Sequence, residues 1–141
     1  MKRILDILRR FYLQGNAKER ASPNDWIKPE DIIYYETTRT LAIKLSPEVW
    51  VTGVSDTNSM DGLIDYGHSV ILTTAFDKSK LSVGDIVCFQ VYTQLILHRL
   101  IEVYEDSSGR VYRTRGDNCV DIDPYYLRDV NLKYLCVGIL Y

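Results

Sequence analysis

The chain has 141 residues, a formal charge of −2, 46% hydrophobic residues and 26% charged ones. That is the size of one ordinary domain and apolar enough to bury a core without metal or disulfide staples, which excludes wholesale disorder. The near-neutral, slightly acidic balance lacks the clustered excess of Lys and Arg that draws a protein to nucleic acid, so no nucleic-acid partner is expected.

Residues 1–14 read as an amphipathic helix. Ile4, Leu5, Leu8, Phe11 and Tyr12 recur at three- and four-residue spacing, while Lys2, Arg3, Asp6, Arg9 and Arg10 fill the other face. Gly15-Asn16 supplies a stop. Packing on the domain or on a twin subunit is the preferred reading, ahead of a peripheral membrane contact. The charges at Asp6, Arg9 and Arg10 interrupt the apolar run too early for a signal peptide. No stretch approaches the roughly 20 apolar residues of a membrane span, so a soluble chain is expected.

Residues 15–31 are polar and broken by Pro23 and Pro29, as a connector would be. Pro29-Glu30-Asp31 is helix-start chemistry and Thr37, Thr38 and Thr40 favour strand. A short helix over 29–36 is the expectation. The first 45 residues are then expected to be a helix and connector, and 46–141 a separate β-rich unit.

From Val49 onward the pattern becomes short strands at 49–54, 69–74, 85–91, 95–104, 110–115 and 134–140, rich in Val, Ile, Leu and Tyr. Turn chemistry separates them, for example Asp65-Tyr66-Gly67 and Ser107-Ser108-Gly109. The pair 95–104 and 110–115 is the clearest hairpin. A mainly β (α+β) fold follows, with coiled antiparallel sheets forming a partial barrel behind the N-terminal helix.

Cys88, Cys119 and Cys136 are odd in number, scattered and without a CxxC pair, which argues against a secreted disulfide scaffold and for a reducing, cytoplasmic setting. Cys88 and Cys136 lie in apolar runs and read as buried thiols. Two histidines supply a structural zinc site poorly. The carboxylates Asp117, Asp121 and Asp123 lack the ordered ligands of a calcium loop. No metal or other cofactor is expected. The eleven tyrosines read as strand and core material, and His68 as a surface turn residue.

Three segments could carry chemistry together. Thr57-Asn58-Ser59-Met60 follows a strand, where a serine can be held at a cleft with its N–H free to meet an oxyanion. His98 lies in the run 95–101, whose alternation puts Ile96, His98 and Leu100 on one face. The carboxylate-rich turn 115–123 follows the next strand. A serine hydroxyl needs a neighbouring base, histidine suits that task near neutral pH, and a carboxylate fixes the imidazole tautomer. A satisfied core histidine and a turn-capping serine are the plain alternatives.

The stretches Ser59-Met60, Leu81-Ser82-Val83-Gly84-Asp85-Ile86-Val87, His98-Arg99-Leu100-Ile101 and Thr114-Arg115-Gly116-Asp117-Asn118 resemble, in order, the boxes of signal peptidase I and its relatives. The superfamily includes the self-cleaving SOS repressors, and the resemblance covers about residues 49–140. His98-Arg99-Leu100 is similar to the His-Arg-Val of the endoplasmic-reticulum and archaeal branch, which works with serine, histidine and aspartate. The resemblance implies Ser59 as nucleophile and His98 as general base. It implies Asp123, seven residues after Gly116, as the catalytic aspartate, with Asp117 in support. It also implies an oxyanion hole built from Thr57 and the Ser59 N–H. Gly62 stands where the family usually has Pro, Gly67-His68 where it has Gly-Asp, and a membrane anchor is absent. These departures point to a soluble relative from a phage or other mobile element. The expected function is a soluble serine endopeptidase whose peptide or protein substrate binds as an extended strand. The alternatives are an inactive peptidase-fold module for peptide binding or assembly, and a self-cleaving regulator.

Overall fold

A computed structural model describes residues 21–45 and 48–141. Six strands form one antiparallel sheet: β3 (Val49–Gly53), β4 (Ser69–Thr73), β5 (Ile86–Val91), β6 (Gln94–Asp106), β7 (Gly109–Arg115) and β8 (Leu132–Leu140). A separate hairpin joins β1 (Ile32–Tyr35) to β2 (Thr40–Ile43). The fold is mainly β, as its β-branched and aromatic runs dictate. The expected helix over 1–14 lies outside the described residues.

The large sheet runs β3-β4-β8-β5-β6-β7 and does not close into a barrel. Both of its faces are covered. Val87 and Phe89 join Leu81, Leu100, Tyr112, Leu127 and Leu135 in one core, while Ile86 joins Met60, Ile64, Val70, Leu72 and Cys136 in the other. A strand with neighbours on both faces needs apolar side chains at successive positions. This is why 86–89 reads as a continuous apolar run. Truncating a core side chain such as Phe89, which is fully buried, costs about 3–5 kcal/mol.

The helix expected over 29–36 is not formed. Pro29–Asp31 make a single 3-10 turn, and the chain then extends into β1. Ile32-Ile33-Tyr34-Tyr35 is the reason: β-branched and aromatic side chains prefer a pleated surface, and these pair in register with Thr40–Ile43. The helix-start residues are used for one turn only.

The hairpin expected between residues 95–104 and 110–115 is present. β6 and β7 pair from Arg99–Arg115 out to Asp106–Gly109. β6 is long enough to serve two neighbours. Residues 94–99 pair with β5 and residues 99–106 pair with β7. Among the described residues, no strand covers the second edge of 94–98, nor the outer edge of β3.

The segment preceding β1 is strapped to the sheet. Asp85, fully buried, accepts hydrogen bonds from Asn24 N and Trp26 Nε1 on one oxygen and from Asn24 Nδ2 and Ser82 N on the other. The strap lies so close that a Cβ on Gly84 would sit 2.2 Å from the Ser22 carbonyl oxygen. Glycine is required there by contact as well as by its φ of +110°.

Candidate active site

His98 sits in β6, and its burial follows from strand alternation. Ile96 and Leu100, two residues either side, belong to the Phe89 core, whereas Leu97 packs into the core on the opposite face. His98 is buried, and its imidazole meets the Phe89 ring edge-on at 6.3 Å between centroids. A buried imidazole needs polar partners. Nδ1 has one, Asp123 Oδ2 at 2.7 Å.

Asp123 arrives from the loop after β7. That loop doubles back along β7, so the Asp123 N–H donates to the Thr114 carbonyl at 2.9 Å and Leu127 bridges Tyr112. The same Asp123 Oδ2 accepts from the Thr114 hydroxyl at 2.7 Å. Arg113 Nη2 donates to the Asp123 carbonyl at 3.1 Å. Of the three aspartates in 117–123, Asp123 is therefore the one that meets His98, and Asp121 is exposed.

Asp117 does not touch the imidazole. Both of its oxygens bind Arg99, at 2.7 Å to Nε and 2.7 Å to Nη2. Arg99 Nη1 also donates to the Gly84 carbonyl at 2.7 Å. The Asp117 carboxylate raises the guanidinium pKa further against the opposing effect of burial. A fork of this kind sets geometry as well as charge.

Ser59 follows β3 and the left-handed residue Asn58, a residue type that tolerates such a φ (here +56°). The turn it occupies is docked on the Gly116–Cys119 segment. Asn118 N donates to the Ser59 carbonyl at 3.0 Å, and Asn118 Nδ2 to the Asn58 carbonyl at 2.9 Å. The Asp117 N–H meets the sulfur of buried Met60 at 3.3 Å. Gly116 marks where the three segments converge. A Cβ there would lie 2.4 Å from the Ser59 carbonyl oxygen, 2.8 Å from Cys119 Sγ and 3.0 Å from His98 Nε2. The free imidazole nitrogen and the backbone of Ser59 thus flank a single point. No hydrogen bond joins Ser59 Oγ to Nε2; the serine hydroxyl contacts Thr57 Oγ1 at 3.2 Å. Bonds between nucleophile and base are often long in an unliganded site and tighten with substrate.

Ser59, Thr57 and His98 border a groove of about 750 Å³. Its apolar wall includes Trp50, Leu72, Leu97 and Tyr134, with Trp50 and Tyr134 edge-to-face at 5.6 Å. It is also bordered by residues 94–98 of β6 and by β3, each of which has an edge left unpaired among the described residues. Cys88 lines it as well, and burial pushes its thiol up to about 11, as it does for Cys136. These two thiols stay protonated at neutral pH, as befits the buried cysteines expected from their apolar surroundings.

Among the described residues, no group of three or more His, Cys, Asp or Glu side chains is placed to hold a metal ion, and no helix is long and apolar enough to cross a membrane. His68 is half-buried in its turn, where Nδ1 accepts from the Asp65 N–H and the ring meets Tyr141. Thr114, Asn118 and Arg99 are contributors that motif reading does not assign. Threonine in a strand and asparagine in a turn are commonplace, and only the fold reveals what they hold. Comparison of the chain with family models, curated proteins and solved structures gave no match.

Proposed function

We propose that this chain is a serine endopeptidase of the signal-peptidase-like kind. The observation that carries the reading is the buried His98–Asp123 pair, with Nε2 directed at the point that the Ser59 turn also flanks. In this reading Ser59 Oγ attacks a peptide carbonyl and His98 Nε2 takes its proton. Asp123 holds the Nδ1–H tautomer and stabilises the imidazolium as it forms. The tetrahedral adduct collapses to the acyl-enzyme as the C–N bond breaks and the leaving amine takes that proton from His98. Water, deprotonated by His98 in turn, then attacks the acyl carbon and releases the carboxylate and Ser59. The Ser59 N–H and the Thr57 hydroxyl serve as oxyanion donors. Asp117 acts through Arg99, holding the turn on which Ser59 rests.

The substrate is a peptide or protein segment laid in the groove as an extended strand. The edge of 94–98, uncovered among the described residues, supports this, because a row of unpaired backbone groups templates another strand. The finer fold expectation, a coiled partial barrel behind an N-terminal helix, belongs to the same reading. So does a cytoplasmic setting, which three free thiols suit.

A second reading, a non-catalytic peptide-binding module, draws on one observation: the Ser59 hydroxyl is engaged by Thr57 rather than by His98. Incubating the protein and its Ser59→Ala variant with a mixed peptide library, followed by mass spectrometry, separates the two. The peptidase reading expects new peptide ends that vanish in the variant. Ends appearing equally with both proteins, or with neither, would leave the binding module.

A further inference from the structure

We propose that Thr114 is a positioning residue that aims the Asp123 carboxylate at His98, an inference resting on the peptidase reading for its consequence but not for its geometry. Thr114 grips Asp123 at two points. Its carbonyl accepts the Asp123 N–H at 2.9 Å, and its hydroxyl donates to Asp123 Oδ2 at 2.7 Å. That oxygen is the one facing His98 Nδ1.

The grip answers a mechanical need. Asp123 belongs to no strand; it sits within the loop that leaves β7 at Arg115 and rejoins it at the Leu127 bridge. The terminal torsion of an aspartate is broad and nearly two-fold, so nothing intrinsic to the side chain selects which oxygen faces the imidazole. A hydrogen bond from a rigid donor makes that selection. Thr114 is suited to it: it is fully buried, β-branched and stiff at χ1, and fixed in β7 opposite Leu100. A hydroxyl donating to a carboxylate is also among the stronger hydrogen bonds available. The hydroxyl has no further role in the groove, since Thr114 does not border it.

The test is the proton NMR signal of the His98 Nδ1–H in the wild type, Thr114→Val and Thr114→Ser, with thermal melts of each. Valine keeps the shape and removes the donor; serine keeps the donor. The expected result is a far-downfield Nδ1–H signal in the wild type that disappears or moves upfield in the valine variant and returns in the serine variant. A valine variant that folds and keeps the wild-type signal overturns the proposal. Should valine prevent folding, Thr114→Cys, a weak donor of similar volume, must show the same loss or the proposal fails. With a cleaved peptide in hand, the valine variant should lower kcat about 10- to 100-fold with KM unchanged, the range seen when partners orienting a metal-bound histidine are removed. The NMR result stands whether or not the protein cleaves peptides. Cleavage with an unaltered signal would therefore remove Thr114 and leave the peptidase reading intact.

Discussion

His98 Nδ1 and Asp123 Oδ2 lie 2.7 Å apart although one belongs to the middle of a strand and the other to a loop that doubles back along the next. The pair is shielded, with the side chains 11% and 14% exposed. Burial makes the contact matter, because a carboxylate in low dielectric both fixes a tautomer and answers the charge an imidazole gains. Asp123→Asn keeps the shape and removes the charge, and an amide can then present an N–H to Nδ1. The expected outcome is a drop in turnover on the order of 10⁴-fold, as for the corresponding change in a serine protease triad. Melting should move little. Kinetics on any peptide cleaved by the wild type checks this.

Asp117 should behave differently. It holds Arg99 rather than His98, so Asp117→Ala removes two charge-assisted hydrogen bonds from a pair that is 18% and 24% exposed on its side chains. A loss of about 1–3 kcal/mol in stability is expected. Turnover should fall far less than in Asp123→Asn. Urea unfolding of both variants beside their kinetics makes the comparison. Equal losses of turnover with no loss of stability would contradict the supporting role.

Much of the large sheet was legible in the sequence, because Val, Ile and Tyr runs bounded by Gly, Asp and Ser turns state their own limits. β5 and the β6–β7 hairpin fall within a few residues of their expected ends. The region 29–36 misled because Pro29-Glu30-Asp31 promises a helix that Ile32-Ile33-Tyr34-Tyr35 then refuses. At the site, the resemblance named both members of the His98–Asp123 pair. It placed Asp117 in support of the site without naming its partner, which in the structure is Arg99. What it could not name were contacts made by common residues in common places, such as Thr114, Asn118 and the strap on Asp85.

That strap yields a prediction. Both oxygens of Asp85 accept two hydrogen bonds. Asp85→Asn therefore turns one side of the carboxylate into a donor facing donors, despite equal size. A loss of about 3 kcal/mol is expected, or roughly 10 °C in Tm. Residues 21–27 should become open to limited proteolysis before the sheet does. An unchanged melt and cleavage pattern would show that the strap contributes nothing.

Asp61 should be destabilising at neutral pH. Partial desolvation first, then repulsion by Asp65 and Asp56, raises its carboxyl above the ordinary value of 3.8. Its Oδ1 is buried with no hydrogen-bond partner. A raised carboxyl binds its proton more readily in the folded state, so the penalty is full above the folded pKa and disappears below the ordinary value. Asp61→Asn should thus raise Tm at pH 7, and the gain should shrink as pH falls to and below about 3.8. Melting curves across pH test the sign, and a gain that grows with acid would reverse it.

Asp106 works in the opposite sense. Its bonds from Arg128, then from Ser108 N, hold the carboxyl below the ordinary value. The stability it lends is complete above 3.8 and is lost as pH falls through its lower folded value. Asp106→Asn should cost stability at pH 7, and that cost should fade in strong acid. A cost that persists undiminished at pH 2 would contradict an ionic origin.

The proposed peptidase function turns on a bond between Ser59 Oγ and an electrophile. A crystal structure of the protein with a peptide boronic acid at neutral pH observes it directly. The expected result is a tetrahedral boronate on Ser59 Oγ, with one boron-bound oxygen at the Ser59 N–H and another within reach of His98 Nε2. A groove filled by the peptide with Ser59 Oγ unbonded, or an adduct on Cys119 instead, would contradict the serine peptidase.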